Sequence, residues 1–245
     1  MSTEGVADAT GRPGGIRGVS PRPARGPDAA RLPYGRIAQL YDASLAILGF
    51  KRALAGVLDR VVQHLPARSC LFDAGCGTGL IAFWFLRRFP EARVVAFDVD
   101  RRMLEVMRRA AQALGRDAER LVIAEGDLQQ PDRLTRFDDG RPLALADQSF
   151  DAIAVGAALE HVALEPTLER LHRLLKRDGR LLILGIRRGG AASVLGLVYR
   201  FRPYSVREVR QVLTAAGYVD VSVKRLTPRD FPANLTRIAI QARRP

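Results

Sequence analysis

Residues 71–80, "LFDAGCGTGL", decide how the rest of this chain is read. A short apolar run closes on an acid, Asp73, and three glycines follow at alternate positions, Gly75, Gly77 and Gly79. The next ten residues, "LIAFWFLRRF", are a strongly apolar helix candidate. A strand, a turn stripped of side chains and a helix, in that order, let a ligand approach backbone N–H groups at the mouth of the strand. The surroundings must say which ligand.

Working outward, short apolar runs alternate with helical patterns. "SCLFD", "ARVVAFD", "RLVIAEGD", "FDAIAVG" and "GRLLILG" read as strands. Each is nearly continuous in apolar residues, as in a parallel sheet covered on both faces. Helices are expected over residues 80–89, 101–114 and 167–176, with Asp100 as the N-cap of the second. Ser205 and Glu208 open a further helix with an S-x-x-E box, and Gly217 ends it. "YVDVSVK" and "TRIAIQA" alternate apolar with polar residues, which suits an antiparallel end of the sheet. The pattern predicts a doubly wound α/β domain with its ligand at the carboxyl ends of the strands.

Before this domain, residues 1–33 hold six Gly and five Pro with almost no apolar clustering, and are expected to form a disordered leader. Residues 34–245 form the folded domain, beginning with two helical patterns, "GRIAQLYDASLAILGF" and "KRALAGVLDRVVQHL". At 245 residues, 47% hydrophobic and 27% charged, the chain has room for one domain of this kind. No stretch reaches the ~20 apolar residues of a membrane span, and the N-terminus lacks the apolar core of a secretory signal. Two cysteines, Cys70 and Cys76, offer neither a disulfide framework nor a C-x-x-C metal pair. A reduced, cytoplasmic protein that needs no metal is expected.

The net charge of +13 is unevenly placed. Residues 34–169 carry 17 basic and 19 acidic groups, whereas residues 170–245 carry 17 basic groups against four acids. Such an excess either attracts an anionic partner or reflects a general preference for arginine, with 36 Arg against three Lys.

The glycine loop departs from the dinucleotide fingerprint G-x-G-x-x-G, because Gly79 falls one residue early. Asp73, two residues before the loop, is ill placed beside a phosphate and well placed beside an ammonium or sulfonium. Asp98, ending the second strand, can accept from both hydroxyls of a ribose. Asp127, ending the third in "EGD", can accept from an adenine amino group. An amino-acid end, a ribose and an adenine without phosphate describe S-adenosylmethionine. Asp73 reads equally well as a cap for loop N–H groups. Gly79 reads as a packing glycine and Cys76 as a small filler.

"FDAGCGTG", "VVAFDVDRRML", "AEGD", "QSFDAIAVGAALEHV" and "LLKRDGRLLILG" resemble the successive motifs of class I S-adenosylmethionine-dependent methyltransferases, in that family's order. The resemblance implies a mostly parallel seven-stranded Rossmann-like sheet whose last strand is antiparallel. It also implies that Gly75, Cys76 and Gly77 line the methionine portion of the cofactor. Asp98 and Val99 then hold the ribose, Asp127 and Leu128 the adenine, and Gly156 with Ala157 the far side of the methionine. Residues 128–145, "LQQPDRLTRFDDGRPLAL", are longer than the family's usual connection and read as an inserted surface loop.

Acceptor classes can be narrowed. The Asn/Asp-Pro-Pro-Tyr motif of amino-group methylases is replaced by "VGAALEHV", and no cysteine stands where cytosine C5 methylation needs one. Nucleic acid therefore rests on basic charge alone and becomes the alternative, together with a non-catalytic cofactor-binding relative. "YGRIAQLYD", "ALEHV" and "RPYSVREVRQVLTAAGY" are similar to the ubiquinone/menaquinone-biosynthesis branch and its phospholipid N-methyltransferase relatives. That similarity implies a small, hydrophobic or lipid-like acceptor, with Tyr41 on a helix closing over the cofactor. His161 is the candidate general base, or else a histidine that holds its loop. In residues 187–205, "RRGGAASVLGLVYRFRPYS", apolar residues are bracketed by Arg187, Arg188, Arg200 and Arg202. Residues 187–210 read either as a lid over the acceptor pocket or as a peripheral contact with an anionic membrane.

Overall fold

The computed structural model describes residues 49–62, 65–186 and 204–245. The expected leader, the first helical pattern with Tyr41, and the segment with Arg187, Arg188, Arg200 and Arg202 lie outside them.

Helix α1 (Phe50–Val61) turns its Leu54, Leu58 and Val61 toward the core at helical spacing. Strand β1 (Cys70–Ala74) leads through the glycine loop into α2 (Leu80–Arg88). Strand β2 (Arg93–Asp98) leads into α3 (Arg101–Gln112), and there Asp100 caps the helix as expected by accepting from the Arg102 N–H at 2.9 Å. Strand β3 (Leu121–Glu125) follows, then β4 (Arg133–Arg136), β5 (Pro142–Ala144) and β6 (Phe150–Gly156). Helix α4 (Leu164–Leu174) and strand β7 (Leu175–Ile186) come next, then α5 (Val206–Ala215), β8 (Val219–Lys224), the short α6 (Ala233–Thr236) and β9 (Arg237–Arg243). Ser205 caps α5 by accepting from the Glu208 N–H at 3.1 Å, and Gly217 adopts the left-handed backbone, φ 89°, that stops it.

The sheet runs β5-β4-β3-β2-β1-β6-β7-β9-β8. From β3 to β8 this contains the seven strands read from the sequence. Strands β3, β2, β1, β6 and β7 are parallel, and β9 runs antiparallel to both its neighbours.

The inserted stretch departs from expectation. It is not a plain surface loop, because β4 and β5 form an antiparallel hairpin that extends the sheet to nine strands. In "RLTR" the alternation turns Leu134 inward, where it is 3% exposed. Gly126 makes room for it, since a Cβ there would overlap the Leu134 side chain. The turn of the hairpin uses Gly140 at φ 69°, and the Gly140 N–H donates to the Arg136 carbonyl at 3.0 Å. A stretch rich in charge and turn formers conceals such a hairpin, because a single inward leucine is a weak alternation signal.

The core lies in two layers. One face of the sheet carries α1, α2 and α3 with Leu58, Phe85 and Met107, and the other carries α4 and α5 with Phe72, Leu171 and Leu213. Because β1 stands between β2 and β6, the chain reverses its direction of strand addition there. The carboxyl ends of β2, β1 and β6 consequently meet at the switch point where doubly wound folds bind ligands.

Candidate active site

The glycine loop leaves β1 with the Gly75 and Cys76 N–H groups both donating to the Phe97 carbonyl at 2.9 Å. A Cβ on Gly75 would overlap that of Ala158, so this glycine lets the chain after β6 come close to the loop. Gly77 is different. Its φ is 54°, and nothing lies within 4 Å of where its Cβ would stand, so its bare face is open. Gly79 packs on Met107 and Phe83, the packing role expected of it.

Asp98 braces this loop. Its Oδ2 accepts from the Gly77 N–H at 2.8 Å and its Oδ1 from the Asp100 N–H at 2.9 Å. Each carboxylate oxygen has a second lone pair, so two acceptor directions remain after both bonds. Burial pushes the Asp98 carboxyl above its ordinary range, against the pull of the Asp100, Gly77 and Val99 N–H groups. Next to it Val99 is 71% exposed, an open apolar surface at the end of β2.

Asp73 is fully buried, and its Oδ2 accepts from the Ala82 N–H of α2 at 2.8 Å. It thus holds the start of the following helix, not its own loop. Among the described residues its Oδ1 is buried with no hydrogen-bond partner, which invites a donor from a ligand. Burial raises its pKa to about 7; the Ala82 N–H pulls the other way, and the Asp98 charge adds to the rise.

Cys76 is buried, with its sulfur 3.6 Å from that of Met107. Burial, and then the negative Asp73 and Asp98, hold the thiol in its protonated form. The filler role stands, and only its backbone borders the loop's open side. Alkylation of the native protein with iodoacetamide is expected to modify the partly exposed Cys70 well before Cys76. Peptide mass mapping that found Cys76 labelled first would overturn this placement.

Asp127 is exposed, and its Oδ1 accepts from the Gln129 N–H at 2.8 Å. Leu128 is the next residue. Its side chain is 6% exposed and belongs to the buried cluster that holds Phe97 and Leu134, so only its backbone is available to an adenine. The hairpin after it supplies Leu134 to that cluster and draws Leu128 inward.

At the end of β6, a Cβ on Gly156 would come within 2.9 Å of the Ile81 side chain. Ala157 has φ 53°, rare for a residue with a side chain, and its N–H donates to the Leu184 carbonyl at 3.0 Å. Strain of this kind collects at binding sites. His161 is exposed in the turn Leu159–His161, at the rim of β6 as expected. The neighbouring Glu160 was missed by sequence reasoning. It is 7% exposed, its Oε1 accepts from the Ile186 N–H at the end of β7, and its Oε2 is buried without a partner. An acid in the apolar run "AALEHV" was the available signal.

Comparison with known proteins gives the family. A family described as "Methyltransferase domain" matches residues 72–183. The demethylmenaquinone methyltransferase of Thermus thermophilus is 30% identical over 173 residues, 68% of this chain and 70% of that protein. The chain belongs to the class I S-adenosylmethionine-dependent methyltransferases, in the ubiquinone-like branch. Malonyl-[acyl-carrier protein] O-methyltransferase of Herminiimonas arsenicoxydans is 30% identical over 197 residues, 78% of this chain and 66% of that one. Ubiquinone/menaquinone biosynthesis C-methyltransferase of Paracoccus denitrificans is 36% identical over 159 residues, 62% of this chain and 56% of its own length. This methyltransferase therefore spans just under two thirds of the first of these two relatives and little more than half of the second. A solved geranyl diphosphate C-methyltransferase from Streptomyces coelicolor has the same fold, with TM-score 0.66 at 16% identity over 89% of this chain and 87% of that one.

Proposed function

We propose that this chain transfers a methyl group from S-adenosylmethionine to a small hydrophobic or lipid-like acceptor of the quinone type. The observation that carries the reading is the braced loop. An open Gly77 backbone is tied to Asp98, and the unpartnered Asp73 Oδ1 is buried nearby in sequence and charge. That donor set suits a ligand with hydroxyls at one end and a cation at the other, and offers no cluster of N–H groups freed for a phosphate. The cofactor, when bound, supplies an electrophilic methyl on a sulfonium. Asp98 accepts from its ribose hydroxyls, and Val99 covers the sugar's edge. Asp127, with the Leu128 backbone, reads the adenine. Asp73 faces the amino-acid end, while the Gly75–Cys76–Gly77 and Gly156–Ala157 backbones line the methionine portion.

Transfer is an in-line displacement in which the acceptor's nucleophile forms a bond to the methyl carbon as the carbon–sulfur bond breaks. Much of catalysis then lies in positioning, for which Tyr41 is the candidate on the acceptor side. His161 takes the acceptor's proton where the acceptor must lose one. His161→Gln is expected to lower turnover about 100-fold at neutral pH with cofactor affinity unchanged. A loss below tenfold would leave His161 as a structural residue of its turn.

The relatives' names favour quinone or malonyl-thioester acceptors over nucleic acid. Among the described residues no helix is long and apolar enough to cross a membrane. A cytoplasmic enzyme meeting the bilayer peripherally, through residues 187–210, fits a lipid-like acceptor, with residues 1–33 as a disordered leader. Mass spectrometry of ligands carried through purification tests the assignment. S-adenosylmethionine or its demethylated product is the expected species, and a bound dinucleotide would refute it.

A further inference from the structure

Strands β8 and β9 are joined by residues 225–236, on the side of the sheet where β7 ends, since Arg237 is paired with Ile186. This connection therefore leaves the sheet at the same rim as the glycine loop. It packs against α1, with Ala233 fully buried and Asp230 1% exposed. Asp230 pairs with Arg60 and accepts from the Thr227 N–H at 2.6 Å. Two large apolar side chains face outward from this anchored base. Phe231 is 65% and Leu235 56% exposed, and with Val99 they are the exposed large hydrophobics among the described residues. Val99 has a place beside the cofactor. Phe231 and Leu235 have none.

Along this connection the exposed charges have one sign. From residue 224 to residue 236 the exposed ionisable side chains are Lys224, Arg225 and Arg229, and the sole acid is the buried Asp230. A cleft of about 440 Å³ opens beside them, with Arg60, Lys224 and Arg225 as its cationic lining. Apolar side chains held out beside unopposed cations are the physical signature of contact with an anionic lipid surface. A water-soluble acidic protein would match the cations and leave Phe231 and Leu235 unexplained.

We infer that the connection 225–236 is a membrane-contact element, in which Phe231 and Leu235 enter the acyl boundary while Lys224, Arg225 and Arg229 meet anionic headgroups. The inference deepens the proposed function and takes its purpose from it: an acceptor that stays in the bilayer is met at the rim where the cofactor loop opens. It uses residues other than 187–210.

The test is co-sedimentation of the full chain with phosphatidylcholine vesicles containing increasing phosphatidylglycerol, at low and moderate salt. Binding is expected to rise with anionic lipid and fall with salt. Arg225→Glu with Arg229→Glu should weaken it ~25-fold or more, at about fivefold for each charge removed. Phe231→Ser with Leu235→Ser should reduce it at least tenfold without changing the thermal midpoint or cofactor affinity. Wild-type protein that stays in the supernatant at high phosphatidylglycerol overturns the inference. So does vesicle binding indifferent to both double variants, which would assign it elsewhere. Self-association of the wild-type chain that the serine variant abolishes also overturns it. Any of these results alongside intact cofactor binding leaves the methyltransferase reading standing, whereas loss of cofactor binding in wild type would strike that reading instead.

Discussion

Replacing Asp98 by alanine is expected to weaken S-adenosylmethionine binding 30- to 1000-fold, the largest single effect on the site. Two losses combine. Hydrogen bonds from ribose hydroxyls to a charged carboxylate contribute ~1.5–3 kcal/mol each and do not add in full, giving ~2–4 kcal/mol. The same carboxylate also holds the Gly77 and Asp100 N–H groups, so the variant releases the loop as well as the sugar. Asp98→Asn separates the two, because the amide keeps one acceptor oxygen for a backbone donor while its NH₂ group cannot accept. Isothermal titration of the three proteins is the measurement. Cofactor affinity unchanged in Asp98→Ala would overturn the assignment of β2's carboxyl end to the ribose.

Asp73→Asn should move stability and affinity in opposite directions. The Asp73 carboxyl is raised from 3.8 to about 7, so folding favours its protonated form. That stabilisation is fully present below pH 3.8 and is lost as the pH rises through about 7; above that, the folded protein carries a buried charge. Three pK units correspond to ~4 kcal/mol in full, of which ~2–3 kcal/mol falls between pH 5 and pH 8. An asparagine keeps an oxygen for the Ala82 N–H and has no charge to bury. The cofactor-free variant should therefore gain on wild type by that amount between pH 5 and pH 8 in urea denaturation. Its cofactor affinity should fall at least tenfold, since the ammonium loses its carboxylate. Parallel stability profiles would show that Asp73 does not ionise uncompensated in the folded chain.

Much of the arrangement was legible because its signals are local. Gly77 and Asp98 announce themselves as a bare turn and a strand-ending acid, and the strands of the parallel half are long apolar runs. The cap at Asp100 follows from one side chain and the two N–H groups ahead of it. Other parts depend on distant partners and were not legible. That Gly75 must also make room for Ala158, more than eighty residues later, shows only once the chain is folded. That the Leu128 side chain is buried with Leu134 depends on a hairpin that its neighbours in sequence do not announce. Glu160 and His161 stand side by side in sequence, and only the approach of Ile186 decides that the acid is the buried one. In each case a contact across the fold overrides a local pattern.

The position of β9 sets an order on how this domain can assemble as it is synthesised. β9 comes last of the strands along the chain, yet it lies inside the sheet between β7 and β8. When β8 leaves the ribosome its only neighbour in the sheet does not yet exist, so Val219 to Lys224 must wait unpaired. Strand β7 likewise presents an open edge beside β6 until the same late segment arrives. The cofactor half, β3-β2-β1-β6, is complete once β6 is made, because each of its pairings joins strands that precede β7. A nascent chain can thus hold a formed glycine loop while its acceptor side still exposes strand edges that invite wrong partners. In this fold the binding half is ready first, and the other half closes only when β9 slides between two strands made before it.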